Sequence, residues 1–191
     1  MLMQYNPIKI EPIFNFYLTN GFKLSIQKIA DTVNITKKTL YNRYQSKENL
    51  EQCVMEFWGK FSCERVKQRT EYANNAVEKL ILFLFELQYC RKHEFHFFSK
   101  MKELFLGNIE YDCQHIKQLN SIFNTGIEEN FFRFACDQKV FTYFFLFNTL
   151  YILLNNELLN TDYLPFLLEP ILTDKGRVAF KDIDIEQIFK L

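Results

Sequence analysis

The 191-residue sequence contains little that interrupts helices, with only five glycines and four prolines. The alternation of apolar and polar residues that marks a half-buried strand is also scarce. Apolar residues recur instead three and four positions apart, which is the spacing of one face of an α-helix. The sequence therefore predicts an all-α protein and weighs against a β-rich fold.

Paired cysteines and targeting signals are missing as well. The five cysteines are scattered, odd in number and without a CxxC pair, which is typical of free thiols in a reducing cytoplasm. They are Cys53, Cys63, Cys90, Cys113 and Cys136. The N-terminus lacks the succession of basic, apolar and small residues that forms a secretory signal. We therefore expect a cytoplasmic protein.

The most apolar run, VFTYFFLFNTLYILL at 140–154, contains Asn148 and two threonines. It is shorter than the roughly 18 to 20 residues that a bilayer span needs, so we expect no membrane partner. A helix that is apolar nearly all round must be covered on every side. Either it is a Phe-rich core helix, or it contributes to a dimer interface or to an aromatic-lined pocket.

Charge is balanced overall but unevenly distributed. The chain has 23 basic and 23 acidic side chains, of which seven basic and three acidic ones lie in residues 1–50. The first part therefore carries +4, and the remainder, with 16 basic against 20 acidic side chains, carries −4. This asymmetry favours a polyanionic partner for the N-terminal part only.

Capping residues and apolar periodicity predict four helices in the first third of the chain. The first covers 10–20 and ends at an Asn-Gly pair. Ser25 opens a short second helix, and Asn34 tolerates the left-handed conformation of a tight turn. Thr36 caps a third helix with the sequence KKTLYNRY, and Ser46 caps a fourth.

Further helices are predicted to the end of the chain. The fourth helix continues to about Arg69, and others are expected at about 76–91, 95–105, 115–134 and 139–158. Pro165, Pro170 and Gly176 interrupt the segment after Thr161, and 184–191 predicts a last helical turn or two.

Residues 25–50, SIQKIADTVNITKKTLYNRYQSKENL, combine several features at defined spacing. These are Ile29-Ala30, Asn34, Thr36, Thr39-Leu40-Tyr41, Tyr44 and Ser46-Lys47-Glu48. The set resembles the N-terminal signature of the TetR family of bacterial transcription regulators, over roughly residues 8–60. The resemblance implies a three-helix helix-turn-helix DNA-binding domain at 1–46. It also implies a helical ligand-binding and dimerisation domain at 47–191, joined by the helix that starts near Lys47.

The third predicted helix has an exposed polar face. At 100° per residue, Leu40 and Tyr44 share the inner face, while Lys38 and Asn42 point away from it. A two-turn helix with lysines at its start has the right size to enter the major groove. We expect Lys37, Lys38 and Thr39 near base edges and Tyr41, Asn42 and Arg43 near phosphates. The full set of predicted DNA-binding residues is Ser25, Thr36, Lys37, Lys38, Thr39, Tyr41, Asn42, Arg43 and Lys47.

Lys47 is a cation in the first turn of a helix, where it opposes the macrodipole. A DNA phosphate at that helix N-terminus would offset this cost, and the resemblance implies that the lysine of S-K-E contacts phosphate. The alternative is a solvated surface lysine.

For the whole protein we predict a ligand-responsive repressor that binds a palindromic operator as a homodimer. The interface would come from 139–158 and a helix near the C-terminus. We expect an apolar, aromatic-lined pocket within 76–158 for a small apolar or planar ligand. Its candidate polar contacts are Tyr89, His93, Asn148 and Tyr151.

Two alternatives remain open. The N-terminal module could have lost DNA recognition, leaving a helical ligand-binding or scaffolding protein. An enzyme has less support, because no nucleophile elbow, phosphate-binding loop or paired-carboxylate motif is present. His93 and His96 lack further metal ligands nearby in sequence, and Cys113 with His115 forms no recognised motif. We therefore predict no catalytic site, metal or cofactor.

Overall fold

The computed structural model describes residues 10–107, 113–133, 137–155 and 163–190. Within these ranges the chain forms eleven α-helices and no strand, apart from one isolated antiparallel bridge between Phe132 and Leu172. The helices are α1 (Ile10–Asn20), α2 (Ile26–Thr32), α3 (Lys37–Tyr44), α4 (Lys47–Thr70), α5 (Ala76–His93), α6 (Phe95–Gly107), α7 (Gln114–Glu128), α8 (Gln138–Asn155), α9 (Tyr163–Leu168), α10 (Asp174–Lys181) and α11 (Ile185–Lys190). The predicted all-α fold is confirmed.

Helices α1–α3 form a small N-terminal unit, which we call the head. Helices α2 and α3 each begin after the capping residue predicted from the sequence. The side chain of Ser25 accepts from Lys28 N at 3.3 Å, and that of Thr36 accepts from Thr39 N at 3.1 Å. These bonds satisfy backbone donors that a helix N-terminus otherwise leaves unpaired.

Helix α4 joins the head to the remaining helices α5–α11, which we call the body. It begins at Lys47 behind the predicted Ser46 cap, whose hydroxyl accepts from Asn49 N at 3.0 Å. The N-terminal half of α4 packs on α1 and α3, and the helix also packs on α5, α6 and α7. A single 24-residue helix thus belongs to the cores of both head and body.

The core of the body surrounds α5, which contacts α4, α6, α7, α8, α10 and α11. A continuous run of α5 from Leu80 to Leu87 is buried, because neighbouring helices cover every side of it. The apolar helix α8 is only partly covered. Phe145, Leu146 and Leu153 are buried, whereas Phe144 and Tyr151 are exposed.

Three sequence predictions differ from the structure in the last third of the chain. Helix α7 ends at Glu128 rather than near position 134, because Asn130 adopts a left-handed φ of 60° and Phe131 N turns back to Gly126 O at 2.7 Å. Helix α10 was not predicted, because Gly176 suggested a break. In the structure Gly176 lies inside α10, where an added Cβ would come within 2.2 Å of Phe131 O.

Helix α9 was not predicted either, because Pro165 suggested a break. In the structure Pro165 lies in the first turn of α9, where the missing N–H is not needed. The predicted extension of α8 beyond Asn155 falls outside the described residues. Cys53, Cys63, Cys90 and Cys113 are not in disulfides, and Cys136 also lies outside the described residues. None of the described helices is long and apolar enough to cross a membrane.

Candidate nucleic-acid interface

The turn between α2 and α3 is held by the backbone. Asn34 has φ 54°, as predicted, and its N–H donates to Asp31 O at 3.2 Å. The N–H of Ile35 donates to Ala30 O at 3.0 Å. These bonds, together with the Thr36 cap, fix the direction in which α3 leaves the turn.

Helix α3 presents a basic polar face to solvent. Leu40 is buried beneath it and Tyr44 is half-buried. The exposed residues of α3 are Lys37, Lys38, Thr39, Tyr41, Asn42 and Arg43. The structure therefore places all six predicted α3 contacts on one accessible surface, with two basic residues at the start of the helix.

Several of these side chains are oriented by neighbours. The Lys37 ammonium lies 5.7 Å from the centre of the Tyr41 ring, and the Arg43 guanidinium lies 5.5 Å from that of Tyr44. The hydroxyls of Thr36 and Thr39 are 2.9 Å apart. A capping hydroxyl accepts through a lone pair and keeps its proton for another acceptor, so Ser25 can still donate to a phosphate.

Lys47 has intramolecular partners. Its Nζ donates to Phe22 O at 3.1 Å and lies 3.1 Å from Glu51 Oε1. Glu51 Oε2 also lies 4.0 Å from the ammonium of Lys100 on α6. Glu51 and Phe22 thus offset the macrodipole cost within the protein, so helix energetics alone do not require a phosphate here. The phosphate contact of Lys47 stays a prediction.

The turn between α3 and α4 contains a feature that sequence reasoning missed. Gln45 adopts φ 66°, and its N–H donates to Tyr41 O at 2.8 Å. Glutamine has no preference for the left-handed region, so the sequence carried no signal for it. The two flanking helices impose this conformation.

Helix α6 is the main contact between body and head apart from α4. His96 lies against Gly21, where an added Cβ would come within 2.9 Å of the His96 ring. The Phe97 ring lies 5.0 Å from that of Phe14 and 5.2 Å from that of Phe22. The end of α1 and the loop after it therefore rest on the first turn of α6.

Comparison with known proteins finds similarity in structure only. No protein-family model matches the sequence, and no curated protein matches it. A gamma-butyrolactone receptor described as ArpA-like has 12% identity and a TM-score of 0.62, covering 95% of this chain and 93% of that one. A putative TetR-family transcriptional regulator from Rhodococcus sp. has 9% identity and a TM-score of 0.61, covering 86% and 96%. The ketosteroid transcriptional regulator KstR2 of Mycobacterium tuberculosis has 18% identity and a TM-score of 0.54, covering 86% and 93%.

These superpositions cover 86% to 95% of the chain. The chain has the fold of the TetR-family transcriptional regulators. The resemblance stated from residues 25–50 is confirmed at the level of fold, because the structural similarity covers far more of the chain than that motif does.

The TetR-like body contains a buried polar network that the sequence did not reveal. Arg65 on α4 donates through Nε to Glu86 at 2.7 Å and through NH2 to Glu94 at 3.0 Å. The indole Nε1 of Trp58 donates to Glu94 Oε2 at 2.6 Å. Burial raises the pKa of Glu86, although Arg65 opposes that shift. Arg69 Nε also lies 3.5 Å from Glu86 Oε2. Arg65 is therefore the arginine that contacts both buried carboxylates, and it ties α4 to the C-terminal half of α5 and to the residue between α5 and α6.

The four predicted ligand contacts lie in two groups. On α5, the rings of Tyr89 and His93 are 4.5 Å apart, and His93 is exposed. On α8, Asn148 donates to Phe144 O of the same helix at 2.7 Å, and Tyr151 is exposed. None of these four residues lines a cavity of 270 Å³, 660 Å³ or 740 Å³ in the body, and their role as ligand contacts stays a prediction.

Three cavities indent the body. The one that we call the notch, of 270 Å³, lies between α4, α6 and the start of α7. The one that we call the groove, of 660 Å³, runs between α4 and α7 and shares Lys60, Gln114 and Lys117 with the notch. A third, of 740 Å³, lies between the start of α5 and helices α10 and α11.

The histidines and cysteines singled out in the sequence have structural partners. His115 is buried, and its Nε2 lies 2.7 Å from the hydroxyl of Ser62. Burial lowers its pKa to about 4, so the ring is neutral at pH 7. Cys113 is the N-cap residue of α7. Among the described residues, no three His, Cys, Asp or Glu side chains come together to hold a metal ion.

Proposed function

We propose that this protein is a DNA-binding transcriptional regulator that works as a homodimer and responds to a small molecule. The observation that carries the proposal is the exposed basic face of α3, held by the Asn34 turn and the Thr36 cap. In this proposal residues 1–46 bind operator DNA in the cytoplasm, and residues 47–191 bind the ligand and the second subunit. Ligand binding releases the operator, so the protein acts as a repressor.

The similar structures support the small-molecule part of the proposal. Their descriptions name one protein as a gamma-butyrolactone receptor and another as a ketosteroid transcriptional regulator. Those are regulators rather than enzymes, and we propose no catalytic role for this chain. The apolar or planar ligand expected from the sequence is kept as part of the proposal.

The second subunit is expected to cover the outer face of α8. Val140, Phe144, Phe147 and Tyr151 recur at spacings of four, three and four residues, and their exposed fractions are 63%, 63%, 44% and 58%. That spacing places them in one stripe along the helix. An exposed apolar stripe of this length is unusual on a monomer and typical of an interface. We infer that two copies of α8 pack across a two-fold axis.

The test is selection of bound duplexes from a random DNA pool by the full-length protein. A DNA-binding dimer should enrich a palindrome whose half-sites are about one helical turn apart, and its affinity should fall steeply as salt rises. If no sequence is enriched, and any residual binding is independent of salt, the scaffolding alternative is correct instead.

Phosphate contacts should act on all duplexes alike. We expect Lys47→Ala to weaken binding to the selected operator and to unrelated duplexes by a similar factor. It should also reduce the slope of log affinity against log salt by up to about 1. Tyr41→Phe should weaken binding uniformly with little change in slope, because it removes a neutral donor. Fluorescence anisotropy across a salt series measures both quantities.

Glu51→Gln is the matched control for Lys47→Ala, because it removes the same ion pair and keeps the lysine. It should leave DNA affinity unchanged or increase it. If both variants weaken binding equally, Lys47 acts by stabilising α4 and the phosphate role is wrong.

Substituting a residue that contacts bases should change which DNA sequence the protein prefers. We expect substitutions at Lys38 and Thr39 to change which bases are selected at one position of each half-site, at a cost of about 1–3 kcal/mol for the original base. Repeating the duplex selection with Lys38→Ala and Thr39→Ala checks this. If the selected motif is unchanged and the affinity for all duplexes falls equally, both residues contact the DNA backbone rather than the bases.

A further inference from the structure

Lys47, for which we expect a phosphate contact, belongs to a cluster of charged side chains at the junction of head and body. The Lys47 ammonium lies 3.1 Å from Glu51 Oε1, and the Lys100 ammonium lies 4.0 Å from Glu51 Oε2. Lys47 and Glu51 are one turn apart at the start of α4, whereas Lys100 belongs to α6. The Glu51 carboxylate therefore lies between the lysine that begins α4 and a lysine of the body.

The three side chains of this cluster are partly buried, Glu51 most of all, with an exposed fraction of 14%. Phe22 contacts both lysines. Its carbonyl oxygen accepts from Lys47 Nζ at 3.1 Å, and the Lys100 ammonium lies 5.9 Å from the centre of its ring. Charges that are partly buried are screened less by salt than exposed ones, so the two ion pairs of Glu51 affect each other.

Two further titratable groups adjoin the cluster, and neither replaces a lysine in it. Glu103 pairs with Lys100 at 2.9 Å but is exposed, so this pair contributes little. Tyr17 is fully buried beside Glu51, and burial, followed by the Glu51 charge, raises the pKa of Tyr17, so its hydroxyl is neutral at pH 7. Within the described part of the chain, the ion pairs of Glu51 are those with Lys47 and Lys100.

Glu51 opposes a phosphate at Lys47 in two ways. It holds the ammonium group that the phosphate needs, and its own negative charge repels the phosphate. The Lys100 ammonium offsets both effects, because it attracts the carboxylate and repels the Lys47 ammonium. With Lys100 the three side chains carry a net charge of +1, and without it their charges cancel.

We propose that Glu51 and Lys100 are positioning residues of the DNA interface. Glu51 holds Lys47 back from the phosphate, and Lys100 makes Lys47 available by taking part of the attraction of Glu51. This inference rests on the proposed function and on the phosphate contact of Lys47. It gives the body an effect on DNA affinity through a residue of α6 that does not touch DNA.

The first test measures operator affinity of the full-length protein by fluorescence anisotropy at fixed salt. Because a dimer contains the cluster twice, two modest effects multiply, and Lys100→Gln should weaken binding about three- to tenfold. Glu51→Gln should strengthen it. Lys100→Arg keeps the charge and should bind within about twofold of the wild type. Lys102→Gln is the control, because it removes the same charge from α6 and should also stay within about twofold.

Double variants establish that Lys100 acts through the other two residues. Adding Lys100→Gln to Glu51→Gln, or to Lys47→Ala, should cause no further loss of operator affinity beyond about twofold. A lysine that contacts DNA itself, or that only stabilises α6, would cause the same loss in every background. Thermal unfolding followed by circular dichroism should be the same for Lys100→Gln and Lys102→Gln.

The availability of Lys47 can also be measured without DNA. The protein is labelled briefly with acetic anhydride, and acetylation of Lys47 is quantified by mass spectrometry relative to Lys181, an exposed lysine of α10. An ammonium group held by a carboxylate is less accessible to the reagent. Glu51→Gln should therefore increase the labelling of Lys47, and Lys100→Gln should decrease it.

The inference is overturned if Lys100→Gln binds the operator like the wild type, if its loss persists undiminished in the Glu51→Gln background, or if neither single variant changes the labelling of Lys47. Its failure is distinct from failure of the proposed function. A wild type that selects no operator refutes both. A wild type that selects an operator, with a Lys100→Gln variant that binds it equally well, refutes only the positioning role and retains the regulator.

Discussion

Replacing Arg65 with methionine is expected to destabilise the protein by about 3–5 kcal/mol, which is the usual cost of removing one partner from a buried ion pair. Arg65 bonds to both Glu86 and Glu94, and Glu86 is fully buried. Methionine preserves much of the side-chain volume, so the loss comes from poorly compensated charge rather than from a cavity, since only Arg69, 3.5 Å from Glu86, remains beside that carboxylate. Urea unfolding followed by circular dichroism measures the free energy of unfolding.

The exposed Lys67→Met on the same helix is the control and should change stability by less than about 1 kcal/mol. The deficit of Arg65→Met should also depend on pH. Burial raises the pKa of Glu86 in the folded protein and Arg65 opposes that shift, so removing Arg65 raises this pKa further and the folded variant takes up a proton more readily than the folded wild type. Lowering the pH from 7 towards 5 should therefore reduce the difference in free energy of unfolding between the variant and the wild type. A gap that is small at pH 7, or that widens on acidification, contradicts the compensating role of Arg65.

Charging the outer face of α8 is expected to separate the subunits. The double variant Phe144→Glu, Phe147→Glu places two carboxylates in the centre of the proposed interface, where two-fold symmetry brings four together. The wild type should sediment as a dimer at micromolar concentration and the variant as a monomer. Operator affinity should fall at least about 100-fold, because two linked heads gain that much over one.

Tyr72→Glu provides the control, since this tyrosine is 84% exposed in the connection between α4 and α5. It should remain dimeric and bind DNA normally. Monomeric sedimentation of the wild type would refute the interface. If the double variant stays dimeric, the dimer interface lies on another surface.

The head could be predicted almost completely from the sequence, because its structure is encoded by neighbouring residues. Ser25, Thr36 and Ser46 each cap the helix that follows, and each bond spans only three residues. Asn34 marks the turn through its own backbone preference. Such signals need no knowledge of distant parts of the chain, which is why the sequence alone predicts that the polar residues of α3 share one exposed surface.

The body could be predicted only in outline, because what organises it is distant in sequence. Arg65 lies 21 residues from Glu86 and 29 from Glu94, and no local pattern predicts that they meet. Gly176 suggested a helix break. Glycine is needed there because Phe131 O, from a residue 45 positions earlier, approaches too closely to leave room for a Cβ. The lysines of the groove likewise come from three helices and form a cluster only after folding.

We expect the contact between His96 and Gly21 to link the head and the body thermodynamically. Phe22, the residue after Gly21, packs its ring on α6, and its carbonyl oxygen accepts a hydrogen bond from Lys47 Nζ. A phosphate that draws Lys47 away from Phe22 therefore competes with an arrangement that α6 supports. Linkage of this kind is reciprocal. If a ligand lowers operator affinity by some factor, the operator lowers ligand affinity by the same factor. Under the proposed function, a protein that occupies its operator is then expected to be a weaker receptor than the same protein free in solution.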